Sequence, residues 1–209
     1  MQALRQSSFL SQPTLLTIQT LVMLGPYLTN TGRLLDAWTL FGLTVRAAHS
    51  IGLHRNCRLL NPSPSLQETS LRRKLWWWIL HMDSQYSIIL GRPLGISSIG
   101  DCPFPEPLTT DPAMLRIGEC TDQLTVLTRQ ILSSPQLTSS RIDQISDRLL
   151  GLLDMLPDEM QFDRSWISDP STIPRSPLDE HSAGKMTSLV RLTVHNGADF
   201  LRSHLLQST

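Results

Sequence analysis

The stretch SLQETSLRRKLWWWILHMDSQYSIILGRP at residues 65–93 decides the fold, because it predicts one long helix with a marked start and a marked end. Ser65 and Glu68 have the spacing of a capping box, in which each residue satisfies an orphan backbone N–H of the other. Gly91 suits the left-handed position that follows a helix, and Pro93 prevents the helix from resuming. The apolar face of this helix is expected to comprise Leu71, Leu75, Trp78, Met82 and Ile89.

Helical patterns continue on both sides of this stretch, and no sustained run alternates apolar and polar residues as a half-buried strand does. Helices are predicted over residues 13–24, 34–51, 111–133, 140–156 and 179–206. Gly25-Pro26 is expected to stop or kink the first of these, since proline lacks an N–H and clashes with the preceding turn. Gly52 is a plausible C-cap of the helix over 34–51, and Asp111 with Pro112 has the pattern of an N-cap followed by the first helical residue. Apolar stripes are predicted on two of these helices: Leu34, Trp38, Phe41, Val45 and Ala48 on one, and Ile142, Ile145, Leu149, Leu152 and Leu156 on the other. Long proline-rich loops are predicted over residues 91–110 and 157–178. The sequence therefore predicts an all-α fold, an irregular helical domain of about six helices in which residues 1–209 form a single domain.

Composition and charge exclude several classes of protein. The 209 residues are 40% hydrophobic and 17% charged, with a net charge of +0, so the chain can bury a core. Residues 1–100 hold 9 basic and 3 acidic side chains, and residues 101–209 hold 9 and 15, which gives +6 and −6. The arginines of the basic half are dispersed, so the halves are expected to pack on each other or on a partner copy rather than on nucleic acid. No apolar run approaches the roughly 18 residues of a membrane-spanning helix, and no membrane partner is expected.

Sequence motifs for cofactors, metals and nucleophilic catalysis do not occur. The chain has neither GxGxxG nor GxxxxGK[ST], no HExxH or finger-like spacing of Cys and His, and no GxSxG. Cys57, Cys102 and Cys120 are scattered and form no CxxC, which is typical of reduced thiols inside a cell. We therefore expect no cofactor and no metal site.

Three consecutive tryptophans, Trp76, Trp77 and Trp78, are the most unusual local feature. On a helix they cover most of the circumference, so at least one must face something other than the immediate core. Packing between helices on both sides is one interpretation, since aromatic residues at helical spacing usually belong to a core. The other is the wall of a hydrophobic ligand pocket, for which Trp78 and Trp38 are the candidates.

Asp83 is the candidate polar residue, because it lies among apolar residues where an isolated carboxylate would be costly to bury. Arg46 and Arg92 are its natural partners. The interaction could be a structural ion pair that fixes the loop at Gly91-Arg92-Pro93. Alternatively, Asp83 could be a polar anchor of the pocket or a general acid or base. The pocket candidates are thus Trp38, Trp78, Asp83 and Arg92, and the candidate catalytic residues of an enzyme would be Asp83, Arg46 and Arg92.

The order of three sequence blocks resembles a known family. The blocks are AWTLFGLTVRAAHSIGLHRN at 37–56, ETSLRRKLWWWILHMDSQYSIILGRPLGIS at 68–97, and DCPFPEP at 101–107. Together they resemble the fungal-specific transcription factor domain, the middle homology region of fungal zinc binuclear cluster regulators. The matching residues are Gly42, Arg46, Ala48, Gly52-Leu53-His54-Arg55, Glu68, Arg72-Arg73, Leu75-Trp76-Trp77, Asp83, Gly91-Arg92-Pro93, Pro103 and Pro105. The core of the match spans residues 12–110, with a weaker match over 111–209.

The resemblance implies an all-α regulatory domain in a nuclear protein that controls transcription. It implies a homo- or heterodimer with a related regulator, and a hydrophobic small molecule, as partners. In this family, DNA binding belongs to a separate six-cysteine zinc cluster. This chain has three cysteines without the cluster's CxxC spacing, so no direct DNA binding is expected from it. It would then be a fragment of a longer regulator, a regulator acting in trans through an intact relative, or a regulatory domain repurposed for biosynthesis.

Three functions compete on these grounds. The leading hypothesis is a nuclear transcription regulator domain, without its own DNA-binding module, that controls a fungal metabolic or secondary-metabolite pathway and turns over no substrate. The alternative is a small-molecule-binding protein or cofactor-free enzyme of the cyclase or isomerase type, located in the cytoplasm, because such chemistry needs only a shaped pocket and one or two polar groups. The third is a pure interaction module whose oppositely charged halves drive dimerisation.

Overall fold

The computed structural model describes residues 12–107, 110–134 and 138–156. These ranges contain five α-helices, one short 3-10 helix and no β-strand, which confirms the all-α prediction. The predicted helix over 179–206 and the predicted loop over 157–178 lie outside the described residues. The chain divides into two compact units, Met1–Glu106 and Pro107–Thr209. The organisation of residues 1–209 as a single domain stays a prediction.

The first unit is built from three helices, α1 (Leu15–Asn30), α2 (Leu34–Ser50) and α3 (Leu66–Leu90), with a 3-10 helix at Cys57–Leu59 before α3. A short turn joins α1 to α2, and these two helices pack along each other, while α3 packs against both. The predicted stripe of α2 contributes Phe41, Val45 and Ala48 to the core. Periodicity along the sequence therefore identified the buried side of α2 correctly.

The first helix continues through Gly25-Pro26 and ends at Asn30, so of the two predicted effects of this pair, a stop or a kink, the stop is wrong. Packing against α3 explains the difference. Gly25 lies so close to Tyr86 that a Cβ on the glycine would come 3.1 Å from the Tyr86 hydroxyl. Thr29 donates its hydroxyl to the Gly25 carbonyl at 3.0 Å and lies 3.2 Å from the Tyr86 hydroxyl. These contacts stabilise the turn that follows the proline and outweigh its local tendency to break the helix.

Both ends of α3 lie where the sequence predicts them. The Ser65 hydroxyl accepts a hydrogen bond from the Glu68 backbone N–H at 3.2 Å, and Gly91 adopts φ 60°, the left-handed conformation of a helix C-cap. The Glu68 carboxylate binds Arg72 one turn later, at 3.0 Å. The Ser65 hydroxyl therefore caps the N-terminus of α3, and the Glu68 carboxylate forms an ion pair with Arg72 within the same helix.

The predicted apolar face of α3 is partly wrong. Trp78 is 41% exposed and Ile89 is 56% exposed, whereas Trp76, Trp77 and Asp83 are buried. The helix is enclosed over most of its circumference, because the chain that follows it returns along its surface. A simple amphipathic pattern could not show this, since it presumes that one side of the helix faces water.

The second unit contains α4 (Pro112–Leu132) and α5 (Ser139–Asp154), which pack against each other. Asp111 caps α4, accepting hydrogen bonds from Ala113 and Met114, and Pro112 is the first helical residue, as predicted. Thr138 caps α5, so this helix begins slightly earlier than the predicted Ser140. The predicted core stripe is confirmed: Ile142, Ile145, Leu149 and Leu152 of α5 are buried, and so is Leu156 just after the helix.

None of the helices described in either unit combines the length and the hydropathy that crossing a membrane requires.

Candidate functional site

Residues 91–107, here called the strap, leave the C-terminal end of α3 and run back toward its N-terminus. Side chains of α3 bind the strap at several levels, from Asp83 near its start to Arg73 near its end. The pairs are Asp83 with Gly95 and Ile96, Trp76 with Ile99, Trp77 with Pro103, and Arg73 with Glu106. The strap is therefore held by helix side chains, although it contains no helix or strand of its own.

Asp83 fixes the start of the strap. The side chain is buried, its Oδ1 accepts the Gly95 backbone N–H at 2.9 Å, and its Oδ2 accepts the Ile96 backbone N–H at 3.1 Å. Backbone N–H groups thereby supply donors that a buried carboxylate needs. Backbone donors of this kind fit a structural role for Asp83, whereas its pairing with Arg46 or Arg92 stays a prediction.

The remaining predicted site residues occupy different places in the first unit. The Arg92 guanidinium carbon lies 5.6 Å from the centroid of the Trp38 ring, within the range of a cation–π contact. Trp78 has its ring centroid 5.6 Å from that of His81. Arg46 is exposed on α2. Their assignment to a pocket or to catalysis stays a prediction.

Trp76 and Trp77 hold the middle of the strap. Both are buried, and their indole N–H groups donate to backbone carbonyls, Trp76 to Ile99 at 2.7 Å and Trp77 to Pro103 at 2.9 Å. Trp77 also stacks on Phe104, with centroids 4.1 Å apart and planes inclined by 20°. Two of the three tryptophans thus combine a large apolar surface with one directed hydrogen bond.

Gly100 and Asp101 of the strap contact the turn that follows α2. The Asp101 backbone N–H donates to the His54 carbonyl at 3.2 Å, and the Asp101 carboxylate accepts the Asn56 backbone N–H at 2.9 Å. The same carboxylate lies 3.5 Å from Nε of Arg55. Gly100 has φ 82°, and a Cβ at this position would overlap the His54 carbonyl oxygen. Only glycine fits here without displacing the backbone.

The end of α2 brings two histidines together. Leu53 donates its backbone N–H to the Ala48 carbonyl and Gly52 donates to the His49 carbonyl, both at 3.0 Å, which is the bonding of a Schellman motif. Gly52 has φ 68°, as its predicted C-cap role requires. The chain reverses at this turn, so the rings of His49 and His54 lie 5.0 Å apart and nearly perpendicular.

A pocket of about 400 Å³ opens between this histidine pair and the strap. Its lining residues are His49, His54, Gly95, Ile96, Ser97, Ser98 and Gly100. The Trp76 ring lies behind the histidines, with centroid distances of 5.4 Å to His49 and 5.9 Å to His54. None of the four predicted pocket residues is in the lining. The sequence signal for this pocket was weak, because the residues come from two separate segments and only the fold joins them.

No lysine, arginine, aspartate or glutamate is among the described residues that line this pocket. Burial lowers the pKa of His49, and the neighbouring His54 lowers it further, which favours the neutral form of the His49 ring. Nδ1 of His54 is buried and has no hydrogen-bond partner in the described part of the chain. The hydroxyl of Ser98 accepts the Gly100 backbone N–H at 3.2 Å and keeps its proton for another acceptor.

The described residues of both units include no group of three or more Cys, His, Asp and Glu side chains positioned to hold a metal ion. The three cysteines are free and buried. Burial raises the pKa of Cys102 to about 12 and that of Cys120 to about 11, so both thiols stay protonated at neutral pH. Protonated thiols are poor nucleophiles and poor metal ligands.

A family model described as the fungal-specific transcription factor domain matches residues 2–172. The chain belongs to this family. In this fungal transcription factor domain, several of the residues that carried the resemblance hold the strap and the end of α2 against α3. Asp83, Trp76 and Trp77 bind the strap, and Arg72 joins α3 to the end of α2 by donating to the Ile51 carbonyl at 2.5 Å.

Curated proteins that resemble the domain are transcription regulators from fungi. An uncharacterised transcriptional regulatory protein of Schizosaccharomyces pombe is 41% identical over 80 residues, which cover 38% of this chain and 10% of that protein. The lactose regulatory protein of Kluyveromyces lactis is 32% identical over 108 residues, 49% of this chain and 12% of that protein. The aurofusarin cluster transcription factor aurR2 of Gibberella zeae is 32% identical over 94 residues, 35% and 14% respectively.

The chain thus spans between 10% and 14% of the length of these three relatives. No solved structure gives a significant match to the domain.

Proposed function

We propose that the chain is a regulatory domain through which a fungal transcription regulator controls a metabolic or secondary-metabolite pathway. Membership of the family supports this role, as do relatives named for lactose regulation and for the aurofusarin cluster. The domain acts in the nucleus and contacts DNA only through another module or a partner. A related regulator is the partner we expect, in a homo- or heterodimer.

One observation favours regulation over catalysis: several residues that carried the family resemblance form hydrogen bonds and ion pairs within the domain. An enzyme must present reactive groups to a substrate. Here the Asp83 carboxylate accepts two backbone N–H groups, and the indoles of Trp76 and Trp77 donate to backbone carbonyls. Arg72 and Arg73 pair with Glu68 and Glu106. These groups shape and hold a surface, which is what a binding or regulatory domain needs.

Charge supports the dimer. The sequence carries +6 over residues 1–100 and −6 over residues 101–209, so two copies placed head to tail would attract each other. Sedimentation velocity of the purified chain at low and high salt tests this. We expect a dimer at low salt that dissociates as salt screens the attraction. A monomer at every concentration and salt level would contradict the homodimer, and co-purification with a related regulator would then be the test of the heterodimer.

Deletion of the gene, with transcripts and metabolites measured in the same cultures, tests the regulatory function. A set of pathway transcripts should fall in the deletion strain and recover when the wild-type gene is restored. Restoration with Asp83→Ala, which releases the strap, should recover them poorly. Asp36→Ala is the matched control, because Asp36 is an exposed carboxylate paired with Arg33 on the surface, and it should restore the transcripts fully.

A different pattern would support the enzyme instead. If transcripts stay constant while one metabolite disappears and a precursor accumulates, the regulatory function is wrong. A fluorescent fusion of the restored protein should be nuclear, and exclusion from the nucleus would oppose the proposal independently.

A further inference from the structure

We propose that the outward side of α1 is the surface on which a second copy of this chain binds. The surface consists of Leu16, Thr20, Met23 and Tyr27, here called the outer stripe. The proposal rests on the proposed function, in which a homodimer is one of the expected assemblies, and it names the surface where the two copies meet. The deciding juxtaposition is an exposed, uncharged stripe of heptad spacing on a helix whose other side already belongs to the core.

The outer stripe exposes large apolar side chains to solvent. Leu16 is 71% exposed, Met23 is 74% exposed and Tyr27 is 63% exposed. The opposite side of α1 is buried, and the helix packs on α2 and α3. A helix that is apolar on all sides is normally enclosed, and contiguous exposed apolar side chains mark interaction surfaces. The exposure of these three side chains therefore indicates that another surface binds here.

The spacing of the outer stripe is that of one helix packing along another. Its residues follow each other at intervals of four, three and four, which is the pattern of the a and d positions in a two-helix seam. Thr20, the polar member of the stripe, donates its hydroxyl to the Leu16 carbonyl at 2.8 Å. Because this proton already has an acceptor, covering Thr20 costs less than covering an unbonded hydroxyl. The stripe extends over about 17 Å of helix, which a partner helix can follow.

The absence of charge on α1 favours a second copy as the partner. Residues 12–32 contain no Asp, Glu, Lys, Arg or His, although 17% of the whole chain is charged. In a two-fold dimer both copies contribute the same surface, so a charge near the axis faces its own counterpart. An uncharged stripe avoids this repulsion. Nucleic acid and acidic peptides are bound by basic side chains, and helices that lie on lipid surfaces carry them as well, whereas residues 12–32 have none.

An antiparallel arrangement of the two α1 helices matches the outer stripe to itself. It places Thr20 of one copy beside Met23 of the other, and Leu16 beside Tyr27, and it brings the helix ends of opposite partial charge together. A single pair of short helices is smaller than a standard interface of roughly 1,200–2,000 Å², so we expect a weak dimer that depends on concentration.

Sedimentation velocity of the full chain over a range of concentrations at low salt tests this surface. Thr20→Glu puts a carboxylate into the stripe and should raise the dissociation constant of the dimer roughly tenfold or more, because the charge would be covered without a partner. Thr39→Glu is the matched control and should leave the dimer unchanged. Thr39 is also an exposed helical threonine whose hydroxyl donates to a carbonyl one turn earlier, that of Leu35 at 2.9 Å, but it lies on α2 outside the stripe. Both substitutions add the same charge to the same half of the chain.

A mixture of two variants tests the antiparallel arrangement. Thr20→Glu and Met23→Lys in equal amounts should associate more tightly than either variant alone, since antiparallel helices bring the two introduced charges together. A mixture that associates no more tightly than its components would overturn the antiparallel arrangement. Circular dichroism and thermal unfolding establish that each variant is folded.

Two outcomes would overturn the surface itself. If the wild-type chain dimerises and Thr20→Glu affects the dimer no more than Thr39→Glu does, α1 is not the contact surface, although the homodimer stands. A wild-type chain that stays monomeric at every concentration would overturn the surface and the homodimer together, and would leave the stripe to a different protein. Neither outcome bears on regulation, which the deletion strain decides independently.

Discussion

Replacing Asp83 by alanine should release the strap from α3, and the cost can be worked from the contacts. The carboxylate is 5% exposed and accepts two backbone N–H groups, from Gly95 at 2.9 Å and from Ile96 at 3.1 Å. The Asp83→Ala side chain has no acceptor. The buried Ile96 N–H would then lose this acceptor, whereas the exposed Gly95 can turn its N–H toward water.

The expected loss is about 3 kcal/mol in the free energy of unfolding. A hydrogen bond to a charged group contributes about 1.5–3 kcal/mol, and a buried N–H left unpaired costs about 1–3 kcal/mol. Part of this is returned, because the variant no longer buries a charge. Asp83→Asn retains one carbonyl acceptor but turns an NH₂ group toward the other N–H, so it should fall between alanine and the wild type.

Urea unfolding followed by tryptophan fluorescence measures the effect, since the strap covers Trp76 and Trp77. With a slope of about 2 kcal/mol per molar urea, the midpoint should fall by about 1.5 M. Asp36→Ala is the control, because its exposed pair with Arg33 should contribute less than about 1 kcal/mol. The reasoning is refuted if Asp83→Ala lies within about 0.5 kcal/mol of the wild type or costs no more than Asp36→Ala.

Substitutions at His81, Gly100 and Trp77 test other contacts of α3 and the strap. Burial lowers the pKa of His81 from 6.5 to about 4, so this side chain is protonated in the unfolded chain at a higher pH than in the folded one. Lowering the pH from 7 to 5 should therefore reduce the free energy of unfolding by about 2 kcal/mol, and urea titrations of His81→Gln should lack this pH-dependent loss. Gly100→Ala forces a Cβ into a left-handed position against a backbone carbonyl and should lower the thermal midpoint by several degrees, whereas Gly42→Ala, with nothing within 4 Å of the added Cβ, should stabilise α2 by about 0.5–1 kcal/mol; equal shifts would contradict the close contact. Trp77→Phe keeps a ring but loses the donor to Pro103, and should cost about 1–2 kcal/mol in chemical unfolding; a neutral effect would show that stacking alone holds this level of the strap.

Local chemistry explains what could be predicted from the sequence. Ser65 and Gly91 bound α3, and Asp111 with Pro112 opens α4, because capping depends on a few neighbouring residues. The five described helices and their all-α arrangement follow from such signals together with apolar periodicity. Pro26 shows the limit of these rules, since contacts with a distant helix carried α1 through a residue that breaks helices locally.

The site depended on partners that are far apart in the sequence. Asp83 was recognised as a buried carboxylate, but two of its donors are main-chain N–H groups, which no residue type indicates. Trp78 was placed on the wrong side of α3 because nothing in the helical pattern shows that a proline-rich segment covers Trp76 and Trp77. The pocket lies between His49 and the strap, which are brought together by the chain reversal after α2 and by the course of the strap along α3. Neither of these features has a sequence motif.

Side chains of α3 form hydrogen bonds with main-chain atoms of the strap at Gly95, Ile96, Ile99 and Pro103. An N–H or a carbonyl is present whatever side chain the residue carries, proline alone lacking the donor. An exposed position between these residues, such as Ser97, can therefore change its side chain without weakening these hydrogen bonds. The helix fixes the backbone of the strap, and the exposed side chains between the fixed points can vary. The same backbone can therefore present different recognition surfaces when a few exposed residues are replaced.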